Sequence, residues 1–141
     1  MQLYYYNYYS MNEKTSILRA FNTHFFEFLD DIIDIFSDNI EIQSSKTSFE
    51  MIKRANPTTI IKAWYLHIYC PYNEIIVAGD IRFFFDKNYA DDLSILPNAS
   101  EIMQIIDTLR EPIKSMSDNN QAISMKYIQN LSKLSLLYSQ F

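Results

Sequence analysis

The sequence predicts an all-α fold, a compact bundle of five to six helices. Apolar residues recur at spacings of three and four along most of the chain. Helix breakers are scarce: the 141 residues include one glycine, Gly79, and four prolines. Hydrophobic residues at 48% and aromatic residues at 16% supply material for one core. A chain of this length fits a single domain that buries roughly two-thirds of its unfolded surface. The alternative is an α+β fold with one short hairpin around Gly79.

Residues 1–13 form a distinct compositional unit, with Tyr4, Tyr5, Tyr6, Tyr8 and Tyr9 close together. They read as a tyrosine-rich tail, or as residues upstream of a start at Met11. A sharper reading is an aromatic arm that docks on a neighbour, because tyrosine is favoured at interfaces. Residues 14–141 are the expected helical domain.

The first strong helix is expected over Ile17–Phe36. Leu18, Phe21, Phe25, Phe28, Ile32 and Ile35 make its stripe, widened by Ile17, Leu29, Ile33 and Phe36. Ser37, Asp38 and Asn39 stop it. The opposite face carries Glu27, Asp30, Asp31, Asp34, Asp38 and Glu41 without a base among them. Such a run is a solvated helix face, a docking surface for a basic partner, or an internal match for Lys46, Lys53, Arg54 and Lys62.

Thr47 with Glu50 three residues on predicts a capping box that opens a second helix. Asn56-Pro57 ends it and begins another, with Pro57 in its first turn. Ile60, Ile61, Trp64, Tyr65, Ile68 and Tyr69 give that helix a bulky face, which Pro71 closes. Between Glu74 and Phe85 the short apolar runs fit either a helix capped at Gly79 or a hairpin turning there; helix is favoured because the neighbours are helical. Lys87 to Leu96 reads as a loop. Asn98-Ala99-Ser100-Glu101 starts a helix bearing Ile102, Ile105, Ile106, Leu109, Ile113 and Met116, with a kink or break expected after Arg110 because of Pro112. Ser117-Asp118-Asn119 is a turn and cap. The last helix runs from about Asn120 to Tyr138, with Ile123, Tyr127, Leu131, Leu134 and Tyr138 on one face.

A single glycine rules out a P-loop, a dinucleotide-binding fingerprint and a glycine-rich lid, each of which needs several. Net charge is −5 and the pI about 4.9, which argues against direct nucleic-acid binding through many phosphate contacts. No apolar run approaches the ~20 residues of a membrane span. Cys70 stands alone, so neither an intrachain disulfide nor a multi-cysteine zinc site is available. With no signal peptide recognised, a reducing compartment is expected.

Some pairings invite a chemical reading. His24, Glu27 and Asp31 share one helix face at metal-ligand spacing, yet His67 has no acid three residues before it to complete a two-metal site. His67 and Cys70 lie one turn apart, like a thiolate and its base, but within a core-like run where cysteine acts as a small hydrophobe. Asp80, Asp86, Asp91 and Asp92 do not match a calcium loop. Trp64, among tyrosines but with no basic stripe, reads as an anchor of the core or of an interface. No catalytic residue, cofactor or metal is assigned.

Three stretches carry a resemblance: Phe25-Phe26-Glu27-Phe28-Leu29-Asp30-Asp31-Ile32-Ile33, Lys46-Thr47-Ser48-Phe49-Glu50-Met51-Ile52-Lys53, and Leu109-Arg110-Glu111-Pro112-Ile113 followed by Met125-Lys126-Tyr127-Ile128-Gln129-Asn130-Leu131. Over roughly Leu18 to Leu137 the chain resembles small helical proteins of nucleocytoplasmic large DNA viruses, the giant viruses. Twenty isoleucines and 11 asparagines against 7 alanines are compatible with the AT-rich coding of such a source. The resemblance implies no activity. It implies a viral protein of the host cytoplasm (the viral factory) or the virion.

The expected function is therefore a non-enzymatic structural or protein–protein interaction protein of a large DNA virus, in the virion or replication factory. Its partner is a protein, itself viral, and self-association is expected from the wide apolar faces. Candidate contact residues are Tyr4, Tyr5, Tyr8, Tyr9, Glu27, Asp30, Asp31, Asp34 and Trp64. One alternative is an acidic regulator that binds a basic host or viral protein associated with nucleic acid. Another is a small enzyme using His67 with Cys70 or His24 with Glu27.

Overall fold

The computed structural model describes residues 2–86 and 97–141, with side chains described for 11–85, 102 and 104–141. The expected loop at 87–96, with Asp91 and Asp92, lies outside the described residues, as do the side chains of Tyr4, Tyr5, Tyr8, Tyr9 and Asp86. The helices are α1 (Gln2–Ile35), α2 (Ile40–Ala55), α3 (Thr59–Trp64), α4 (Cys70–Ala78), α5 (Arg82–Asp86), α6 (Pro97–Lys114) and α7 (Asp118–Ser139). A π-helical segment, Tyr65–Tyr69, joins α3 to α4 without a break in the helix. No strand occurs among the described residues, and the fold is all-α as predicted.

Gly79 decides against the hairpin. It takes φ +79° and ψ 23°, the left-handed conformation of a helix C-cap. Its N–H bonds Ile76 O at 3.0 Å and the N–H of Asp80 bonds Ile75 O at 3.3 Å, the paired closure of a Schellman motif. The side-chain amide of Gln129 on α7 donates to Ile76 O at 2.9 Å, tying this helix end to the core.

Several expected boundaries move. Helix α1 begins at Gln2 rather than Ile17, because no Gly or Pro interrupts the intervening chain and propagation of a formed helix costs little. Helix α2 starts at Ile40, not at Thr47. Asn39 is the earlier cap, its Oδ1 accepting from the Ile42 N–H at 3.2 Å. Thr47 sits inside the helix and its hydroxyl donates back to Gln43 O at 3.3 Å. Pro71 does not close a helix. The π turn before it pairs the Cys70 N–H with Tyr65 O, and Pro71 then falls in the first turn of α4, where a missing N–H is tolerated. The chain still kinks there, at Tyr72 (φ −123°, ψ 18°). Pro112 causes no break after Arg110. It lies within the last turn of α6, which fully buried Ile113 holds against the core.

The core is aromatic and isoleucine-rich. From α1, Phe21, Phe25, Phe28, Leu29 and Ile32 are buried as the stripe predicts, but Ile35 is exposed at the helix end. Trp64 sits at the centre, edge-on to Phe21 and Phe25 at 6.2 and 6.3 Å, while Phe49 of α2 stands edge-on to Phe25 at 4.8 Å. Helix α6 buries Ile102, Ile106, Leu109 and Ile113 as expected.

On helix α7, Leu131 and Tyr138 are buried as expected and Tyr127 and Leu134 pack against the core, but the buried face also takes in small polar residues. The helix buries Ser124, Met125, Ile128, Leu131, Ser132, Ser135 and Tyr138, and leaves Ile123 exposed. Serine side chains are small enough to let helices approach closely, provided each hydroxyl is satisfied. Ser135 Oγ donates to Ser132 O at 2.7 Å, and Ser132 Oγ accepts from the Trp64 indole N–H at 3.0 Å. Helix α7 lies along α1 and also touches α3, the π segment and α4, while α2 packs on α6. Ser45 and Thr108 hydroxyls meet at 2.6 Å across that second interface.

A Cβ at Gly79 would combine the left-handed backbone penalty with a 3.3 Å approach to Gln129 Nε2. Gly79→Ala is expected to lower the unfolding free energy by about 1–2 kcal/mol in denaturant titration, with the helical circular dichroism of the folded state unchanged.

Candidate partner-binding surfaces

The outer side of α1 carries the acids that the sequence singles out, and the fold engages several of them internally. Asp30 Oδ1 lies 2.6 Å from Lys46 Nζ, which also stands 3.9 Å from Glu50. The hydrogen bond to Asp30 holds the Lys46 ammonium above the ordinary lysine value. Asp31 Oδ2 accepts from the Tyr127 hydroxyl at 2.6 Å. That bond pushes the phenol up to about 12. Tyr127 is further held between rings, stacked on Phe28 at 4.9 Å and tilted against His24 at 4.7 Å. Glu27 is exposed, 3.5 Å from His24 Nδ1. Of the bases expected to answer this face, Lys46 forms the ion pair. Lys53 instead lies over the Phe26 ring at 5.3 Å, and Lys62 pairs with none of these acids.

Of the clefts that border α1, two are lined by its acids. One lies between its C-terminal end and the start of α7. It encloses about 240 Å³ over Phe28, Ile32, Ile35, Met116 and Ile123, and Asp31 and Asp34 stand at its edge. The other, of about 680 Å³, runs between α1 and α2. Phe26 lies within it, Asp30, Lys46 and Glu50 occupy one part, and Asn22, Lys53 and Arg54 line the remainder.

The candidate residues are thus divided. Asp31 and Asp34 come together at the first cleft, and Glu27 and Asp30 line the second. Trp64 is 3% exposed and its indole N–H is bonded to Ser132, so it anchors the core and offers a partner no surface. Cys70, expected in a core-like run, is exposed at the start of α4, directly after the π segment. Burial lowers the pKa of the nearby His67. No group of three or more His, Cys, Asp or Glu side chains gathers to hold a metal among the described residues, and none of the described helices is long and apolar enough to cross a membrane.

Comparison with protein-family models, curated proteins and solved structures finds no match. The surfaces therefore rest on their own geometry.

Two residues escape the sequence reading. Asn22 interrupts the Phe21–Phe25 stripe at a buried position, and a polar side chain there was the available signal. The bond from Tyr127 to Asp31 spans 96 residues of sequence, and no local pattern announces it.

Because the folded phenol is raised, the Tyr127–Asp31 bond contributes its full stability below the ordinary tyrosine value of 10.0 and loses it as pH rises through about 12. Ultraviolet titration of the tyrosines is expected to show a component ionising near 12 that Tyr127→Phe removes. At neutral pH the same substitution is expected to cost no more than about 1 kcal/mol, the bond being open to solvent.

Proposed function

We propose that this chain is a non-enzymatic protein–protein interaction protein, and that the cleft between α1 and α7 seats a partner segment bearing an apolar side chain flanked by lysine or arginine. One observation carries the reading. Ile35 and Ile123 are 44% and 45% exposed on the two sides of an apolar cleft whose edge bears Asp31 and Asp34. Exposed large aliphatic side chains beside a concave apolar floor are a feature of docking sites. The acids select for positive charge and speed encounter, while the floor supplies most of the affinity. Tyr127 holds the Asp31 carboxylate in place, which limits the ordering cost of binding.

The viral setting belongs to the same proposal. It is supported by the three sequence stretches that resemble small helical proteins of large DNA viruses, and it puts the partner in the virion or the replication factory.

Affinity capture from infected cells, followed by mass spectrometry, tests both parts. The unmodified chain is expected to retain a viral protein through a basic segment, with retention falling as salt rises. Asp34→Lys and Ile123→Glu are each expected to abolish retention without loss of helical signal. Absence from virions together with no viral partner captured, or a partner retained equally by both variants, contradicts the reading.

A further inference from the structure

The cleft between α1 and α7 calls for an apolar side chain flanked by lysine or arginine, and the chain carries such a segment on its own surface. On α2, Met51 is 64% exposed and Ile40 is 75% exposed. They stand about three helical turns apart on one side of the helix, a separation of about 17 Å. The opposite side buries Ile42, Ser45 and Phe49. Arg54, one turn beyond Met51, is exposed and makes the C-terminal end of the outer side basic. Glu41, beside Ile40 in the first turn, makes the N-terminal end acidic.

The groove between α1 and α7 matches that side. The two helices run antiparallel, because Asp31 meets Tyr127 while Lys14 lies over the Tyr138 ring. Tyr127 divides the groove, its ring against His24 and Phe28 and its hydroxyl on Asp31. On one side of Tyr127 is the cleft of Ile35 and Ile123, edged by Asp31 and Asp34. On the other is a cleft of about 340 Å³ lined by Ala20, His24, Asn130, Lys133, Leu134 and Leu137. Along α7, Ile123 and Leu134 are again about three turns apart, the separation of Met51 and Ile40. The first cleft is edged by carboxylates, whereas the second carries Lys133 and no carboxylate among its lining residues. Neither Lys133 nor Arg54 has an ion-pair partner among the described residues.

Spacing and charge together select one orientation. With α2 of a second copy laid antiparallel to α7, Met51 enters the cleft at Ile123 and Ile40 enters the cleft at Leu134. Arg54 then meets Asp34, and Glu41 meets Lys133. The reverse orientation sets Glu41 against the aspartates and Arg54 against Lys133, like charge against like. Between Ile40 and Met51 the outer side of α2 exposes Ser44 and Thr47, small enough to pass over the ridge that Tyr127 makes across the groove.

We propose, on the reading of the α1–α7 cleft as a docking site, that α2 of a second copy of this chain lies in the groove between α1 and α7. The contact joins two unlike surfaces, the outer side of α2 on one copy and the groove on the other. A viral partner that docks in the same cleft displaces the neighbouring copy.

Sedimentation velocity of the full chain provides the test. The chain is expected to associate between about 10 μM and 1 mM, the weak range of a small interface, and less strongly as salt rises. Two double variants are compared with it: Met51→Glu with Arg54→Glu, and Asp34→Lys with Ile123→Glu. Each is expected to weaken association at least about tenfold. The helical circular dichroism of both is expected to stay unchanged, since all four side chains are exposed. An equal mixture of the two variants is expected to regain association, because each supplies the surface that the other lacks. A chain that stays monomeric throughout that range, association that either double variant leaves unchanged, or a mixture that remains monomeric overturns the proposal. Capture of the viral partner separates this outcome from the docking reading. If the chain is monomeric yet Ile123→Glu still abolishes capture, self-docking alone fails. If association responds to both variants and no viral protein is captured, the viral partner alone fails.

Discussion

The structure depends on how the Trp64 indole is buried. An indole carries a large apolar surface and one N–H that must find an acceptor when it leaves water. Here the acceptor is Ser132 Oγ at 3.0 Å, and the faces and edges of the ring meet Phe21 and Phe25. Those two phenylalanines belong to α1, Phe49 against Phe25 belongs to α2, and Ser132 belongs to α7. One side chain of α3 therefore meets α1 and α7 directly and reaches α2 through Phe25. The arrangement needs small residues on α7, since a bulky side chain at Ser132 or Ser135 would separate that helix from the indole and leave the N–H unpaired.

With its inner side committed to this cluster, α1 becomes the shared wall of the two clefts that its acids line. The walls are held at their rims by polar contacts, Asp30 with Lys46 on α2 and Asp31 with Tyr127 on α7. Such solvent-exposed contacts add little to stability. Their effect is positional: they hold carboxylates in one place beside apolar floors. The acidic face is thus neither a uniformly solvated helix face nor a uniform docking strip. Some acids brace the helix packing, and others remain at cleft edges.

Much of the fold is legible in the sequence where burial follows apolar spacing. The α1 stripe through Phe21, Phe25, Phe28 and Ile32 and the α6 stripe through Ile102, Ile106, Leu109 and Ile113 are both buried as read. Legibility fails where polar residues take core positions. The buried serines of α7 carry no hydrophobic signal, and Ile123, which the apolar spacing places inward, is exposed. Local rules also fail where a competing signal lies nearby: Asn39 outcompetes Thr47 as a cap, and a π turn absorbs Pro71. Of the candidate site, the acids were legible as a face. Their division between partners was not, because Tyr127 and Lys46 reach them only through the tertiary packing.

Trp64 is the only tryptophan in the chain, so its fluorescence reports the central cluster alone. The most direct measurement is its emission and acrylamide quenching, followed with far-ultraviolet circular dichroism through a denaturant titration. A buried, hydrogen-bonded indole predicts blue-shifted emission, weak quenching in the native state, and a red shift that coincides with loss of helix. Solvent-like emission with ready quenching while the helical signal is intact would contradict the account.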